Sequence, residues 1–134
     1  MIDNKETILE ALHDKNTILL DCRTKDEFTG KIMKKGAFRS GHIPKAINID
    51  YSEAIAYEKS CTFRNRIDLE ERFKELPKNK KIIIYCQSGV RSALLTFVLT
   101  ELLGYPSVSN YDGSWIEWSY FKDLPIQVEN TPLM

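Results

Sequence analysis

Residues 80–103, reading KKIIIYCQSGVRSALLTFVLTELL, constrain the fold more than any other part of the chain. Ile82, Ile83, Ile84 and Tyr85 form a consecutive apolar, mostly β-branched run, the pattern of a parallel strand covered on both faces. From Arg91 onward, Leu94, Leu95, Val98, Leu99, Leu102 and Leu103 recur at helical spacing. The pattern stops at Gly104, with Pro106 beyond it, as helices commonly stop. Cys86, Gln87, Ser88, Gly89, Val90, Arg91 and Ser92 therefore join the C-terminal end of a buried strand to the N-terminus of a helix. In open α/β sheets ligands bind at that place.

The position sets the chemistry expected of Cys86. Unpaired N–H groups in a helix's first turn, with the positive end of the helix dipole, favour an anion there. A thiol so placed ionises below the ~8.5 of a free cysteine, because the thiolate is the stabilised form. Gly89 lets the backbone turn successive N–H groups inward as an anion-binding nest, and Arg91 adds a permanent cation to the same loop. The competing reading is an inert cysteine buried at a strand end; Gly89 and Arg91 tip the balance to a nucleophile.

The rest of the chain fits one α/β domain. A length of 134 residues suffices for a single core, read here as an ordered core over residues 4–122 and a loosely held tail over 123–134. Nineteen basic and nineteen acidic side chains cancel, so neither nucleic acid nor a membrane surface is indicated as a partner. No apolar run approaches the ~20 residues of a membrane helix. The three cysteines lack metal-binding spacing and any Cys-x-x-Cys, which points to free thiols in a reducing compartment, the cytoplasm, and to no metal. Cys61 is read as non-catalytic, and Cys22 as a packed thiol whose strand-end position also suits a resolving role. Residues 4–13 read as a helix, Thr17–Asp21 as a second buried strand, residues 46–49 as a third, residues 52–57 as a helical turn and residues 58–65 as irregular. Residues 68–76 read as an amphipathic helix with Asp68 at its start, residues 107–110 as the last strand, and residues 113–121 as a helix bearing the core aromatics Trp115 and Trp118. Strands alternating with helices predict a three-layer α/β/α sandwich around a mostly parallel sheet of four or five strands.

Four stretches carry a family resemblance. Ile84-Tyr85-Cys86-Gln87-Ser88-Gly89-Val90-Arg91-Ser92 resembles the active-site loop of the rhodanese-type sulfurtransferases. Leu20-Asp21-Cys22-Arg23 with Asp26-Glu27-Phe28 resembles that family's Asp-x-Arg strand end. Ser40-Gly41-His42-Ile43-Pro44-Lys45-Ala46-Ile47-Asn48-Ile49 resembles its Gly-His-Ile-Pro-Gly-Ala-x-Asn segment, with Lys45 where glycine is usual. Tyr111-Asp112-Gly113-Ser114-Trp115-Ile116-Glu117-Trp118 resembles the end of the catalytic half of two-domain thiosulfate and mercaptopyruvate sulfurtransferases. The resemblance implies a rhodanese-like sandwich, and a chain that stands alone or is cut from a longer two-domain protein.

It also implies a reaction without metal or organic cofactor. Cys86 would take a sulfane sulfur from a small anionic donor as a persulfide, and a thiol or cyanide would remove it. Partners would be those small molecules, a preceding rhodanese-like domain or an acceptor protein. In two-domain relatives the basic loop ahead of Gly-His-Ile-Pro contributes cations to the substrate, and Lys31 and Arg39 are the positions carried over. Asp21 either orients the active-site loop or makes a structural cap or ion pair with Arg23, the second being the stronger reading. His42 reads as a structural hydrogen-bonding residue. Gln87 and Ser88 are neutral where thiosulfate enzymes have basic residues, whereas Arg91 resembles single-domain thiosulfate enzymes, so thiosulfate is favoured over 3-mercaptopyruvate. Two alternatives stay open: a persulfide-carrying or regulatory module, and a cysteine–arginine phosphatase or arsenate reductase. The last has a loop one residue longer in this fold.

Overall fold

A computed structural model describes residues 2–57 and 62–128 of the chain. Its main sheet contains β1 (Ile2–Asp3), β2 (Thr17–Asp21), β3 (Ile47–Asn48), β6 (Lys81–Tyr85) and β7 (Val108–Tyr111), in the order β1-β7-β6-β2-β3. Every pair in it is parallel. β6 is central for the reason its composition suggests: Ile82, Ile83, Ile84 and Tyr85 are all buried, on a strand covered by helices on both faces.

The alternation of β2 and β6 divides the core into two layers. Leu20, Ile82 and Ile84 meet Leu69 and Phe73 of α3 (Arg66–Arg72) and its C-cap, with Leu95 of α4 (Val90–Phe97). Leu19, Ile83 and Tyr85 face the other way, onto Ile8 and Ala11 of α1 (Lys5–Ala11) and Trp115 and Trp118 of α5 (Ser114–Tyr120). The three-layer sandwich expected from the sequence is thus the fold observed.

Local differences have local causes. The helical turn after β3 is a 3-10 turn, Tyr51–Ala54, and the next segment pairs as a short antiparallel hairpin of β4 (Ile55–Ala56) with β5 (Thr62–Phe63). α3 begins earlier than Asp68, because Asn65 caps it by accepting the Asp68 N–H at 2.9 Å. The apolar pattern after the active-site loop is an α-helix continued by a π-helical stretch, Val98–Leu102. In it Leu103 N–H reaches Val98 C=O at 3.1 Å, and the wide turn brings Leu103 fully into the core while Leu94 is left exposed. The expected loose tail is docked as far as Val128. Leu124 is buried, Trp118 Nε1 donates to Pro125 C=O at 2.7 Å, and His42 and Gln127 exchange two backbone bonds of 2.9 Å. Cys61 and residues 129–134 lie outside the described residues. No helix among the described residues is long and apolar enough to cross a membrane.

Lys45, standing where the resemblance puts glycine, has φ 69°, a conformation costing ~1–2 kcal/mol for a residue with a Cβ. Its ammonium offsets part of that cost by donating to Leu12 C=O at 2.6 Å, beyond the end of α1. Lys45→Ala loses the bond and keeps the strain. It is expected to be about 1 kcal/mol less stable than Lys45→Gly, which loses both, as read from urea unfolding midpoints.

Candidate active site

The site forms where β6 ends and α4 begins. Two constraints shape the loop between them. Gly89 has φ 99°, and a Cβ there would lie 2.7 Å from Asp112 C=O, so both conformation and space exclude a side chain. From the far side, α5 holds the first residues: Trp115 N–H donates to Cys86 C=O at 2.9 Å, Ile116 N–H to Gln87 C=O at 3.0 Å, and Cys86 N–H to Ser114 Oγ at 3.1 Å. Ser114 itself takes φ 55° and donates its hydroxyl to Tyr111 C=O at 2.8 Å. The Asp112-Gly113-Ser114-Trp115 segment is therefore the loop's support.

This turn aims donors at one sulfur. Cys86 Sγ accepts from Gly89 N–H at 3.1 Å and Ser92 N–H at 3.3 Å, with Ser92 Oγ at 3.4 Å. The Cys22 thiol lies in the same buried cluster and favours the ionised form of this sulfur. The Cys22 thiol contributes most, and the Ser92 and Gly89 bonds add to it against the opposing effect of burial. Together they push the Cys86 thiol from 9.0 down to about 4. Cys22 moves the opposite way, raised by the neighbouring Cys86 and by its own burial. At neutral pH the pair holds a Cys86 thiolate and a Cys22 thiol. A buried anion walled by aimed N–H groups can attack a soft electrophile and can hold the charge of what it captures.

The other expected site residues fall in different places. Gln87 is buried and its Nε2 donates to Lys35 C=O at 3.4 Å, tying the active-site loop to the basic loop. Ser88 and Val90 are exposed on the turn. Arg91 is on the first turn of α4, but its fork goes to Glu27: Nη1 to Oε1 at 3.2 Å and Nη2 to Oε2 at 3.3 Å. The guanidinium also lies 5.6 Å from the Tyr51 ring centre. Its charge bears on Cys86 through space. Burial would raise the Glu27 carboxyl, but the Arg91 pairing outweighs it and the net shift is downward.

Asp21 is fully buried and pairs with Arg23 (Oδ2 to Nη2, 2.7 Å), whose Nη2 also reaches Gly41 C=O at 2.6 Å. The structural ion pair is the reading the geometry supports, and it fixes the end of β2 beside the site. Lys31 is exposed on the loop before β3. Arg39 departs from the substrate role carried over to it. Its Nη2 donates to the carbonyls of Trp118, Phe121 and Leu124 at 2.9–3.2 Å and its Nε to Ser119 C=O at 3.1 Å. It caps the C-terminus of α5, whose orphan carbonyls need a donor. His42 is structural: buried, stacked on Phe28 and bonded through Nδ1 to Phe28 C=O at 2.7 Å.

Three residues acting on the site were not read from the sequence as such: Glu27, Ser114 and Asn110, whose Nδ2 donates to Gly89 C=O at 3.4 Å. Glu27 had a signal in Thr24-Lys25-Asp26-Glu27, a capping box that opens α2 (Lys25–Thr29). Among the described residues no cluster of His, Cys, Asp and Glu could hold a metal.

Gly89→Ala is expected to cost about 1–3 kcal/mol of stability and to misaim the amides on the sulfur. Thermal unfolding, together with an upward shift in the pH at which Cys86 becomes reactive to an alkylating agent, checks both parts.

A strand, a cysteine, a turn of inward amides and a helix make an α/β site for one sulfur nucleophile. The chain belongs to the rhodanese-like domain family, whose model matches residues 4–120. A Corynebacterium glutamicum protein named thiosulfate sulfurtransferase is 42% identical over 120 residues, 84% of this chain and 39% of its own length. The structure of an anaerobic ergothioneine biosynthesis enzyme from Chlorobium limicola, in complex with trimethyl histidine, superimposes with a TM-score of 0.83 at 25% identity. That match covers 94% of this chain and 31% of that one. The chain spans less than half the length of the curated relatives it matches, 39% and 45% for the first two.

Proposed function

We propose that the chain is a sulfurtransferase unit that carries a sulfane sulfur on Cys86. The thiolate attacks the outer sulfur of thiosulfate, the sulfur–sulfur bond of the donor breaks, and sulfite leaves with the bonding pair. The resulting Cys86 persulfide bears its charge on the outer sulfur, where the loop amides supply hydrogen bonds that grow with the charge. A thiophilic acceptor takes that sulfur and returns the thiolate, a ping-pong cycle. The observation that carries the reading is the pair of N–H donors from Gly89 and Ser92 on the Cys86 sulfur.

Thiosulfate is favoured over 3-mercaptopyruvate by the name of the Corynebacterium glutamicum relative and by exposed Lys31, Lys34 and Lys35 on the neighbouring loop. Arg39 and Arg91 are given no weight toward a dianion, since Arg39 directs Nε and Nη2 to carbonyls at the end of α5 and Arg91 directs Nη1 and Nη2 to Glu27. The greater length of the relatives fits a further domain or an acceptor protein as partner. A donor panel tests the proposal: thiosulfate and 3-mercaptopyruvate, each with cyanide, read as thiocyanate. Turnover with thiosulfate the faster is expected. Turnover with neither donor, together with an unmodified Cys86, would overturn it.

A further inference from the structure

We propose that Cys22 is the resolving thiol of this site: it displaces the outer sulfur of the Cys86 persulfide as hydrosulfide and leaves a Cys22–Cys86 disulfide. The inference rests on the persulfide proposed above and adds a second outlet for its sulfur.

Strand register places the two cysteines together. Asp21 pairs with Tyr85 in the parallel β2–β6 ladder. Cys22 N–H then donates to Tyr85 C=O at 3.0 Å, so the ladder runs one residue further and sets Cys22 beside Cys86. The two side chains point to the same face. Cys22 and Cys86 share one apolar cluster with Leu20 and Ile84, while Leu19, Ile83 and Tyr85 belong to the other. Neighbouring strands lie ~4.8 Å apart, inside the ~4.4–6.8 Å separation of Cα atoms that a disulfide spans. Both thiols are free and buried in that shared cluster.

The surroundings leave Cys22 one reaction partner. It has no exposed surface, so dissolved electrophiles do not reach it. Its backbone is held on both sides, Cys22 C=O accepting from Tyr51 N–H at 3.0 Å. The amides of Gly89 and Ser92 approach the Cys86 sulfur from the loop, whereas Cys22 stands at the adjacent position of the sheet. A sulfur added to Cys86 would point toward the loop amides, leaving the inner sulfur on the side of the neighbouring strand that bears Cys22.

The step balances. The Cys22 sulfur forms a bond to Cys86 Sγ as the bond from Sγ to the outer sulfur breaks. The outer sulfur departs with that electron pair and takes the Cys22 proton, leaving as HS⁻. The sulfane sulfur is reduced to sulfide by two electrons, and the two cysteines end as a disulfide. A dithiol reductant then returns both thiols by exchange. An acceptor that binds at the loop competes with this outlet, so the chain releases sulfide when no acceptor is present.

The test uses the full chain with Cys61→Ser in every protein, which leaves Cys22 and Cys86 as the thiols. Cys86 is loaded with thiosulfate in one arm and inorganic polysulfide in another, and excess reagent is removed. Trapped sulfide, cyanide-dischargeable sulfur and the non-reduced peptide map are then followed without reductant. The parent is expected to lose its persulfide at least about tenfold faster than Cys22→Ser or Cys22→Ala, with about one sulfide released and a Cys22–Cys86 linked peptide. Equal persulfide lifetimes in parent and variants, or sulfide release without the linked peptide, would overturn the proposal. Failure of thiosulfate alone to load Cys86 counts against the donor reading, and the polysulfide arm still decides the role of Cys22.

Discussion

Cys86→Ser is expected to lower sulfur transfer from thiosulfate to cyanide by at least about 10³-fold, to the level of the uncatalysed exchange. The reason is ionisation rather than shape. A serine hydroxyl keeps its proton in a site whose donors hold a thiolate, and oxygen does not store a sulfane sulfur. The Gly89 and Ser92 N–H groups still find an acceptor in the serine oxygen, so the variant keeps its fold and near-parental far-ultraviolet circular dichroism. The pH dependence follows from the same thiol. Its native value near 4 lies below its ordinary 9.0, so the folded state binds fewer protons than the unfolded one between those limits. This contribution is fully present above the ordinary value and is lost as pH falls toward 4. Urea midpoints of the parent should therefore rise more steeply from acid to alkaline pH than those of Cys86→Ser.

Asp21→Ala is expected to cost about 3–5 kcal/mol of stability. Asp21 and Arg23 are at most 2% exposed. Removal of the carboxylate leaves a buried guanidinium that has lost its ion-pair partner and keeps only Gly41 C=O and the Trp115 ring face 4.7 Å away. Because this pair anchors the end of β2, transfer activity falls with stability. The double replacement Asp21→Leu with Arg23→Met removes the stranded charge and is expected to recover much of the loss. Chemical denaturation of the single and double variants reads the difference directly.

How much of this was legible in the sequence depends on where the signal lay. The order of strand, turn and helix in the β6–loop–α4 unit was readable, because a buried parallel strand, a glycine turn and an amphipathic helix each leave a local pattern. A mostly parallel sheet followed from alternation of elements, and the main sheet is parallel throughout. Strands as short as β1, β4 and β5 leave no periodicity in two residues. Side-chain partners depend on the tertiary structure. Arg39 looked like a substrate cation because a basic loop carries no mark of which carbonyls it will meet, and those on α5 are some 80 positions away in sequence. Arg91 stands on the first turn of α4, and its partner Glu27 showed only as a capping box. Cys22 lay in plain view, and it needed the strand register to bring it against Cys86.

The most direct measurement is the rate at which iodoacetamide modifies Cys86, followed by peptide mapping from about pH 3 to pH 9. A thiolate held by the Gly89 and Ser92 amides and the Cys22 thiol predicts half-maximal reactivity near pH 4. Half-maximal reactivity near 9.0, the value of an unassisted thiol, would contradict the account.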